Sequence, residues 1–345
     1  MKEIKFAMLG YGGIAKSHKH GYELLEKEGF PIKLVAICDI NDKQFTAAEQ
    51  AINLGSTYGT NLEGIALYTN VDDMLEHEDF DVIDICLPTY LHKEYAIKLM
   101  RMGKHVLSEK PMSLSYADCK ELLDVAKECN KKITIGQCLH FEAGYIYLKK
   151  CIEKQTFGKL QSIVFERLSE LPTWDCFEDW YLDPAKSGSV PFDLHIHDID
   201  MANYLLGMPK SVSAVTLYNE VPNQYINSRL FYENGVTVFA TASWNEAKGT
   251  PFLMAYRVRF DDATLIYKGG TVKVYPAGKP SFEAEETKSE NCKDRMAEEI
   301  RNMALAVSDP SFENIVNTPE CAANSILLTE KLVESAKLNG EKIYL

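Results

Sequence analysis

No long apolar stretch and no basic run occurs in this sequence of 345 residues. No window approaches the roughly eighteen consecutive apolar residues that a membrane-spanning helix requires. Acidic residues outnumber basic ones by 50 to 37, which gives a formal net charge of −13. Because this charge repels phosphate backbones and anionic lipid surfaces, we expect neither nucleic acid nor membrane partners.

Paired cysteines are also missing. The nine cysteines are scattered singly, without a Cys-x-x-Cys pair or a disulfide rhythm, which is typical of reduced thiols that pack as small apolar residues. Residues Met1–Ile4 lead directly into a strand-like segment without a signal-peptide layout. We therefore expect a cytoplasmic protein.

The composition, with 46% apolar and 25% charged residues, indicates a globular chain. Its length favours two domains that fold together. We place a dinucleotide-binding domain at residues 1–125 and a substrate-binding and oligomerisation domain at residues 126–345. The last helices are expected to belong to the second domain, with the option of packing back on the first.

Short apolar runs alternate with amphipathic stretches in the first half of the chain. The strand-like runs are Ile4–Leu9, Leu34–Cys38, Val82–Leu87, His105–Leu107 and Ile133–Ile135. Apolar residues at helical spacing separate them, as at Tyr90–Met102 and Ser115–Asn130. This alternation predicts an α/β domain with a doubly wound parallel sheet.

The second half has few helices between its strand-like runs. These runs are Leu160–Arg167, Ser211–Tyr218, Tyr225–Tyr232, Val236–Trp244 and Met254–Phe260. Glu233-Asn234-Gly235 is a hairpin signal, and helical stretches follow at Arg295–Val307 and Pro319–Leu338. We expect an α+β domain on a mostly antiparallel open sheet. Because an open sheet presents an apolar face, we also expect a homodimer or homotetramer through this sheet.

A glycine turn, Gly10-Tyr11-Gly12-Gly13-Ile14-Ala15, follows the first strand and opens a helix. In a dinucleotide site, Gly10 permits the tight turn, Gly12 allows the backbone to approach a pyrophosphate, and Ala15 lets the helix pack on the strand. The helix N-terminus offers unpaired N–H groups to the phosphates. The alternative is a tight turn without a ligand.

Asp39 directly follows the second strand, where a carboxylate accepts hydrogen bonds from the adenosine ribose. A 2′-phosphate would meet like charge here, since Ile40 and Asn41 follow instead of an arginine. We therefore expect NAD, with NADP disfavoured. The alternative role for Asp39 is a helix cap.

Two more segments end strands at the carboxyl edge of the predicted sheet, where ligands bind in doubly wound folds. Leu87-Pro88-Thr89 is expected to line the cofactor crevice, and His92 on the next helix either reaches it or is a solvated or capping residue.

Glu109-Lys110-Pro111 follows the strand at His105. There the Lys110 ammonium can stabilise a developing alkoxide beside the nicotinamide. A surface lysine is the alternative.

Residues Asp193 to Met201 begin a helix that is rich in acidic residues and histidines. At helical spacing, Asp193 and His197 fall on one stripe, followed by Asp200 or Met201. An aspartate beside an imidazole can orient it as a base near neutral pH.

His195 and Asp198 fall on other faces of the same helix. The competing interpretations of this segment are a metal site and a solvated acidic face. We expect no metal, because no remote cluster of ligand residues completes a coordination shell.

Together these motifs resemble the glucose-fructose oxidoreductase and inositol dehydrogenase family over most of the chain. The matching features, in the family's order, are Gly10 to Ala15, Gly103 to Pro111, Gly136, Trp180, Ser187-Gly188 and Asp193 to Gly207. The resemblance implies an N-terminal Rossmann domain and a C-terminal open sheet that often forms the oligomer interface. It also implies that the catalytic residues are Lys110, Asp193 and His197.

Two positions depart from the family's pattern. His140-Phe141 stands where Arg-Phe is common, which bears on substrate contacts, and Ser189 stands where a third glycine is common. Candidate substrate contacts besides the catalytic residues are His140, Trp174, Trp180 and Trp244. For the three tryptophans, a place in a core or interface is the alternative.

The sequence thus predicts an NAD-dependent dehydrogenase that acts on the CH–OH group of a sugar, a cyclic polyol or a sugar derivative. Two other functions stay open. One is a non-catalytic dinucleotide or sugar sensor that regulates a partner. The other is redox-assisted glycoside cleavage or elimination, in which NAD oxidises the sugar transiently.

Overall fold

The computed structural model describes residues 2–46, 61–172, 177–217, 224–288, 291–309 and 311–345. In chain order, its strands are β1 (Ile4–Leu9), β2 (Ile32–Cys38), β3 (Ala66–Tyr68), β4 (Val82–Ile85), β5 (His105–Glu109), β6 (Ile133–Gly136), β7 (Leu160–Leu168), β8 (Ser211–Thr216), β9 (Tyr225–Phe231), β10 (Thr237–Ser243), β11 (Leu253–Phe260), β12 (Ala263–Lys268), β13 (Thr271–Pro276), β14 (Phe282–Glu283) and β15 (Ile343–Tyr344). The α-helices are α1 (Gly13–Lys27), α2 (Val71–His77), α3 (His92–Arg101), α4 (Tyr116–Glu128), α5 (Ala143–Glu153), α6 (Pro184–Ser187), α7 (Ile196–Leu206), α8 (Arg295–Ser308) and α9 (Pro319–Lys337). Across these ranges, no helix is long and apolar enough to cross a bilayer.

The chain divides into two compact units. The first comprises Met1–Ser113, Ala117–Cys138 and Asp294–Ala322, and the second comprises Leu114–Tyr116, Leu139–Lys293 and Ala323–Leu345. The first unit therefore extends beyond the expected residues 1–125. The reasons are that β6 pairs with β5 and that α8 packs on α1.

Six strands of the described chain form the sheet of the first unit, in the order β3-β2-β1-β4-β5-β6, and every pairing is parallel. This is the order of a dinucleotide-binding Rossmann sheet. All four residues of β4 are buried, as expected for a parallel strand covered by helices on both faces. The prediction of a doubly wound parallel sheet is confirmed.

Helix α1 approaches α8 closely at Gly21. A Cβ atom at this glycine would lie 3.0 Å from both the Ala297 nitrogen and the Ile300 Cδ1 atom. Gly21 thus lets the two helices approach closely, and the buried Ile300 and Met303 of α8 join the core of the first unit. The side chain of Asp294 caps α8 by accepting a hydrogen bond from the Ala297 N–H.

The sheet of the second unit has nine strands within the described ranges, in the order β14-β13-β12-β11-β7-β10-β9-β8-β15. All pairings are antiparallel except that of β7 with β10. The predicted hairpin at Glu233-Asn234-Gly235 joins β9 to β10, and Gly235 has a φ of +83°. The mostly antiparallel α+β domain is confirmed, with a mixed sheet. The last residue of the predicted strand Ser211–Tyr218 lies outside the described residues.

Helix α5 packs on this sheet through aromatic rings. Tyr145 makes an edge contact with Tyr256 at 5.3 Å and lies 5.4 Å from the Tyr267 ring. The Tyr256 hydroxyl donates to the Gly144 carbonyl at 2.6 Å. A Cβ atom on Gly144 would come within 2.4 Å of the Tyr267 ring, so this glycine sets the distance between helix and sheet.

Candidate dinucleotide and catalytic sites

The glycine turn between β1 and α1 has the shape that a dinucleotide requires. Gly10 has a φ of +89°, and a Cβ atom there would lie 2.6 Å from the Cys86 carbonyl oxygen, so only glycine fits. A Cβ atom on Gly12 would meet no atom of the described chain within 4 Å. Space therefore remains open at the start of α1, where Gly13 and Ile14 form the first turn without an acidic residue. An uncapped helix N-terminus with room beside it suits a pyrophosphate.

Asp39 lies beside this turn. Its Oδ2 accepts a hydrogen bond from the Tyr11 N–H at 2.7 Å, and its Oδ1 accepts from the Asn41 N–H at 2.8 Å. Asp39 thereby ties the end of β2 to the glycine turn. A carboxylate has about four acceptor positions, so this half-buried group retains capacity for ribose hydroxyls. The residues of the turn and Asp39 fit NAD.

His92 connects two loops at the same sheet edge. Its Nδ1 lies 2.9 Å from the Pro111 carbonyl oxygen, and its Nε2 lies 2.8 Å from the Leu87 carbonyl oxygen. The side chain is buried, and burial lowers the pKa of His92 below its usual value. A neutral imidazole donates from one nitrogen only, so His92 hydrogen-bonds one of these carbonyls and packs against the other, between Leu87-Pro88-Thr89 and the segment that holds Lys110.

Lys110 directly follows β5, and its side chain is half-buried. The peptide bond between Lys110 and Pro111 is cis. The backbone N–H of Lys110 donates to the Glu109 carboxylate at 2.9 Å. Within the first unit, the structure thus brings Lys110 to the sheet edge that also carries the glycine turn and Asp39.

In the second unit, Asp193 lies in a π-helical turn, Pro191–His195, that leads into α7. The wider turn replaces the regular α-helical spacing expected for this segment, and such turns occur frequently at functional sites. Asp193 is buried and accepts a hydrogen bond from the Tyr181 hydroxyl. His197 follows on the first turn of α7 and is half-buried.

Two other polar residues of this segment face the protein interior. The His195 Nε2 lies 2.8 Å from the Ser228 hydroxyl. Burial, followed by the charge of Arg167, lowers the pKa of His195 to about 3. Asp198 is fully buried and pairs with Arg167 through two hydrogen bonds, at 2.8 and 3.1 Å. Both side chains are therefore turned into the second unit, away from solvent.

Asp200 and His140 form a further buried pair. The His140 Nε2 lies 2.6 Å from Asp200 Oδ2, and the Ser325 hydroxyl donates to Asp200 Oδ1 at 2.8 Å. The His140 ring stacks on Tyr204 with centroids 4.0 Å apart. Asp200 therefore has its own partners and does not extend the pair Asp193 and His197. The expected contact of His140 with substrate stays a prediction.

Two of the three candidate tryptophans, Trp180 and Trp244, contact Tyr181. Trp180 is half-buried and contacts the Tyr181 ring edge-on at 5.2 Å. Trp244 is buried, and its ring centroid lies 4.8 Å from that of Tyr181. Trp174 lies outside the described residues. Sequence reasoning missed Tyr181, whose only signal was its position next to Trp180.

Two family models match the chain. One, an oxidoreductase family with an NAD-binding Rossmann fold, matches residues 4–137. The other, the GFO/IDH/MocA C-terminal domain, matches residues 145–266. Together they cover most of the sequence, and the first match runs past the expected domain boundary at residue 125.

Individual proteins are also similar. The chain is 30% identical over 217 residues to the 2,7-anhydro-N-acetylneuraminate hydratase of Mediterraneibacter gnavus, which covers 62% of this chain and 52% of that protein. It is 27% identical over 246 residues to the inositol 2-dehydrogenase of Rhizobium meliloti, which covers 71% of this chain and 67% of that protein. Several curated relatives are matched over only 40 to 52% of their own length.

A solved structure extends the likeness to the whole fold. The WlbA dehydrogenase from Bordetella pertussis, in complex with NADH and UDP-GlcNAcA, has a TM-score of 0.79 at 20% identity and covers 100% of this chain and 99% of its own.

Proposed function

The chain belongs to the Gfo/Idh/MocA oxidoreductase family, and from this premise we propose that it is an NAD-dependent dehydrogenase. It transfers a hydride between a hydroxyl-bearing carbon of a sugar, cyclic polyol or sugar derivative and the nicotinamide. The observation that carries this proposal is the sheet edge of the first unit. Three features lie at this edge, each after a strand of one parallel sheet. They are the open space at Gly12, the Asp39 carboxylate and Lys110.

The catalytic roles follow from the chemistry of the side chains. His197 removes the proton of the substrate hydroxyl, and Lys110 stabilises the oxyanion that forms. Asp193, whose carboxylate accepts a hydrogen bond from the Tyr181 hydroxyl, orients His197 and Lys110. The nicotinamide supplies the hydride acceptor when it is bound. Leu87, Pro88 and Thr89 line the cofactor crevice in this proposal, since they follow β4 at the same edge.

NAD is the proposed cofactor, in preference to NADP. The Asp39 carboxylate, at the end of β2, would repel the extra phosphate of NADP because like charges repel. The NAD-binding Rossmann fold of the family and the NADH in the WlbA dehydrogenase structure support this choice.

The direct test is to incubate purified protein with NAD and a panel of sugars and cyclic polyols. Formation of NADH is measured by its near-ultraviolet absorbance. Lys110→Met removes the proposed oxyanion contact and should lower kcat by about 100- to 1000-fold on the best substrate. The matched control is Lys127→Met, an exposed lysine on α4 of the same unit, which should retain activity. Full activity of Lys110→Met would overturn the proposed role.

A second candidate activity is supported by the similarity to the 2,7-anhydro-N-acetylneuraminate hydratase. In that case the same hydride transfer would be reversed later in the cycle, after water adds or a group leaves. The two activities differ in their products. Incubation of an anhydro-sugar with catalytic NAD would yield a hydrated or cleaved sugar without net NADH, whereas a dehydrogenase yields NADH in proportion to product.

We also propose a homodimer or homotetramer, formed through the sheet of the second unit, in the cytoplasm. Phe239 of β10 remains 37% exposed beside Arg229 of β9, as an interface aromatic would. The described cysteines are free thiols, which suits a reducing compartment. Light scattering tests the oligomer: Phe239→Glu should shift the mass toward the monomer, and a wild-type monomer would contradict the proposal.

A further inference from the structure

His18 is a fully buried histidine on α1 that lies between two carboxylates. Its Nδ1 is 2.9 Å from Asp84 Oδ2 on β4, and its Nε2 is 3.0 Å from Glu109 Oε1 at the end of β5. Sequence reasoning did not single out this residue. Its ring links the helix that starts at the glycine turn to the residue that precedes Lys110.

These contacts determine the charge of the ring. An ionised carboxylate only accepts hydrogen bonds, and a histidine donates from both nitrogens only as imidazolium. Asp84 is ionised in this arrangement, because it also accepts from the Tyr22 hydroxyl at 2.9 Å and from the Cys86 thiol at 3.6 Å. A neutral His18 would leave a nitrogen lone pair facing a carboxylate oxygen.

The surrounding charges agree with this assignment. Burial alone would lower the pKa of His18, but the charge of Asp84 and its hydrogen bond raise that pKa well above the usual value. Burial raises the pKa of the Cys86 thiol and of Glu299, which lies on the adjacent α8. The His18 ring thus lies between the carboxyl groups of Asp84 and Glu109.

The Glu109 carboxylate connects His18 to the backbone of Lys110. One carboxylate oxygen contacts His18, and the other accepts the backbone N–H of Lys110 at 2.9 Å. Gly136 of β6 leaves room for this carboxylate, since a Cβ atom there would lie 3.2 Å from Glu109 Oε1. On the other side of Lys110, the buried His92 ring packs against the Pro111 carbonyl, with its Nδ1 2.9 Å from the carbonyl oxygen. Lys110 is therefore anchored through both of its neighbours.

We propose that His18 is a positioning residue, a permanently charged imidazolium that holds Glu109 and, through it, the backbone of Lys110 in the geometry needed for hydride transfer. This proposal rests on the catalytic role proposed above for Lys110. It assigns a function to the helix that follows the glycine turn beyond the binding of pyrophosphate.

The charge state is tested without substrate or cofactor, on the full-length wild-type protein. Two-dimensional ¹H–¹⁵N NMR of the histidine rings should show His18 as imidazolium, with both nitrogens protonated, at pH 8.5. A histidine with an ordinary pKa of about 6.5 is neutral there. His18→Gln assigns the signal by its disappearance. A neutral His18 ring at pH 7 would overturn the proposal, whatever reaction the enzyme catalyses.

The positioning role is tested by a double-mutant cycle of His18→Gln and Glu109→Gln. Each single change should lower kcat by roughly 10- to 100-fold while KM for NAD stays within about twofold. The double variant should be no slower than the slower single variant, because both act on one contact. Additive losses, or full kcat in His18→Gln, would contradict the proposal.

A control separates positioning from general loosening of the buried cluster. Tyr22→Phe removes a different hydrogen bond to Asp84 and should leave kcat within about threefold. In the absence of substrate, acylation of the Lys110 amine, mapped by mass spectrometry, should be at least about threefold faster in His18→Gln than in Tyr22→Phe. Equal rates in the two variants would sink the positioning role even if no dehydrogenase substrate is found.

Discussion

The two units of this protein position their polar residues by different means. In the first, Asp39, Asp84 and Glu109 each lie in or directly after a parallel strand, so the sheet brings them to one region. In the second, the polar residues of one short segment separate toward different partners: Asp193 to Tyr181, and Asp198 to Arg167. In a parallel sheet, the strand order places residues at the strand ends close together. Along a helix, neighbouring residues lie on different faces and contact different partners.

The largest effect is expected from removal of His197, the proposed base on α7 of the second unit. His197→Ala should lower kcat by about 100- to 10,000-fold, because proton abstraction from the hydroxyl then depends on water. The measurement is the steady-state rate with the best substrate and saturating NAD. His77→Ala, an exposed histidine at the end of α2, is the control and should be unaffected. Retained activity in His197→Ala would contradict its proposed role as the base.

The glycine turn offers a matched pair of substitutions with opposite results. Gly12→Val fills the open space beside α1 and should raise Kd for NADH by at least about tenfold with an unchanged Tm. Gly10→Ala places a Cβ atom 2.6 Å from a carbonyl oxygen at a φ of +89°, so it should lower the free energy of unfolding by more than about 1 kcal/mol. Fluorescence titration and thermal unfolding measure the two effects. Tight NADH binding by Gly12→Val would exclude the turn as the pyrophosphate site.

Much of the fold could be predicted from the sequence because its signals are local. The predicted β1 has the observed bounds, and β6 differs by one residue. The hairpin between β12 and β13 was missed, although Gly269-Gly270 is a signal of the same kind as Asn234-Gly235 and both glycines have positive φ. The parallel pairing of β7 with β10 leaves no local pattern.

The candidate site divides in the same way. Gly10, Asp39 and Lys110 could be named because each immediately follows a strand. The contact of His18 with Glu109 joins residues 91 positions apart, and the bond from Tyr181 to Asp193 depends on a π-helical turn. Regular helical spacing gave no sign of that turn, so the partners of Asp193 could only be found in three dimensions.

A smaller change tests how far a single strand-end residue sets cofactor choice. Asp39→Ser removes the charge proposed to exclude the 2′-phosphate, so the ratio of kcat/KM for NAD to that for NADP should fall by about tenfold or more. Asp42→Ser, an exposed acid three residues later, is the control and should preserve the ratio. If NADP is preferred by the wild-type protein, Asp39 does not have the proposed role.

The smallest expected effect concerns His195, which the second unit buries instead of using at a site. Its pKa is about 3 in the folded protein and about 6.5 when exposed, so the unfolded chain binds one more proton between these values. The contribution of the neutral ring is therefore fully present above about pH 6.5 and is lost progressively as the pH falls toward 3. His195→Gln should flatten this part of the stability profile, as measured by urea unfolding at pH 4.5 and 7.5, although its stability at pH 7.5 falls. The free energy of unfolding that is lost between pH 7.5 and pH 4.5 is the quantity to compare. If His195→Gln lost as much as the wild type, His195, which is bonded to Ser228 in the interior, would not be the group that titrates.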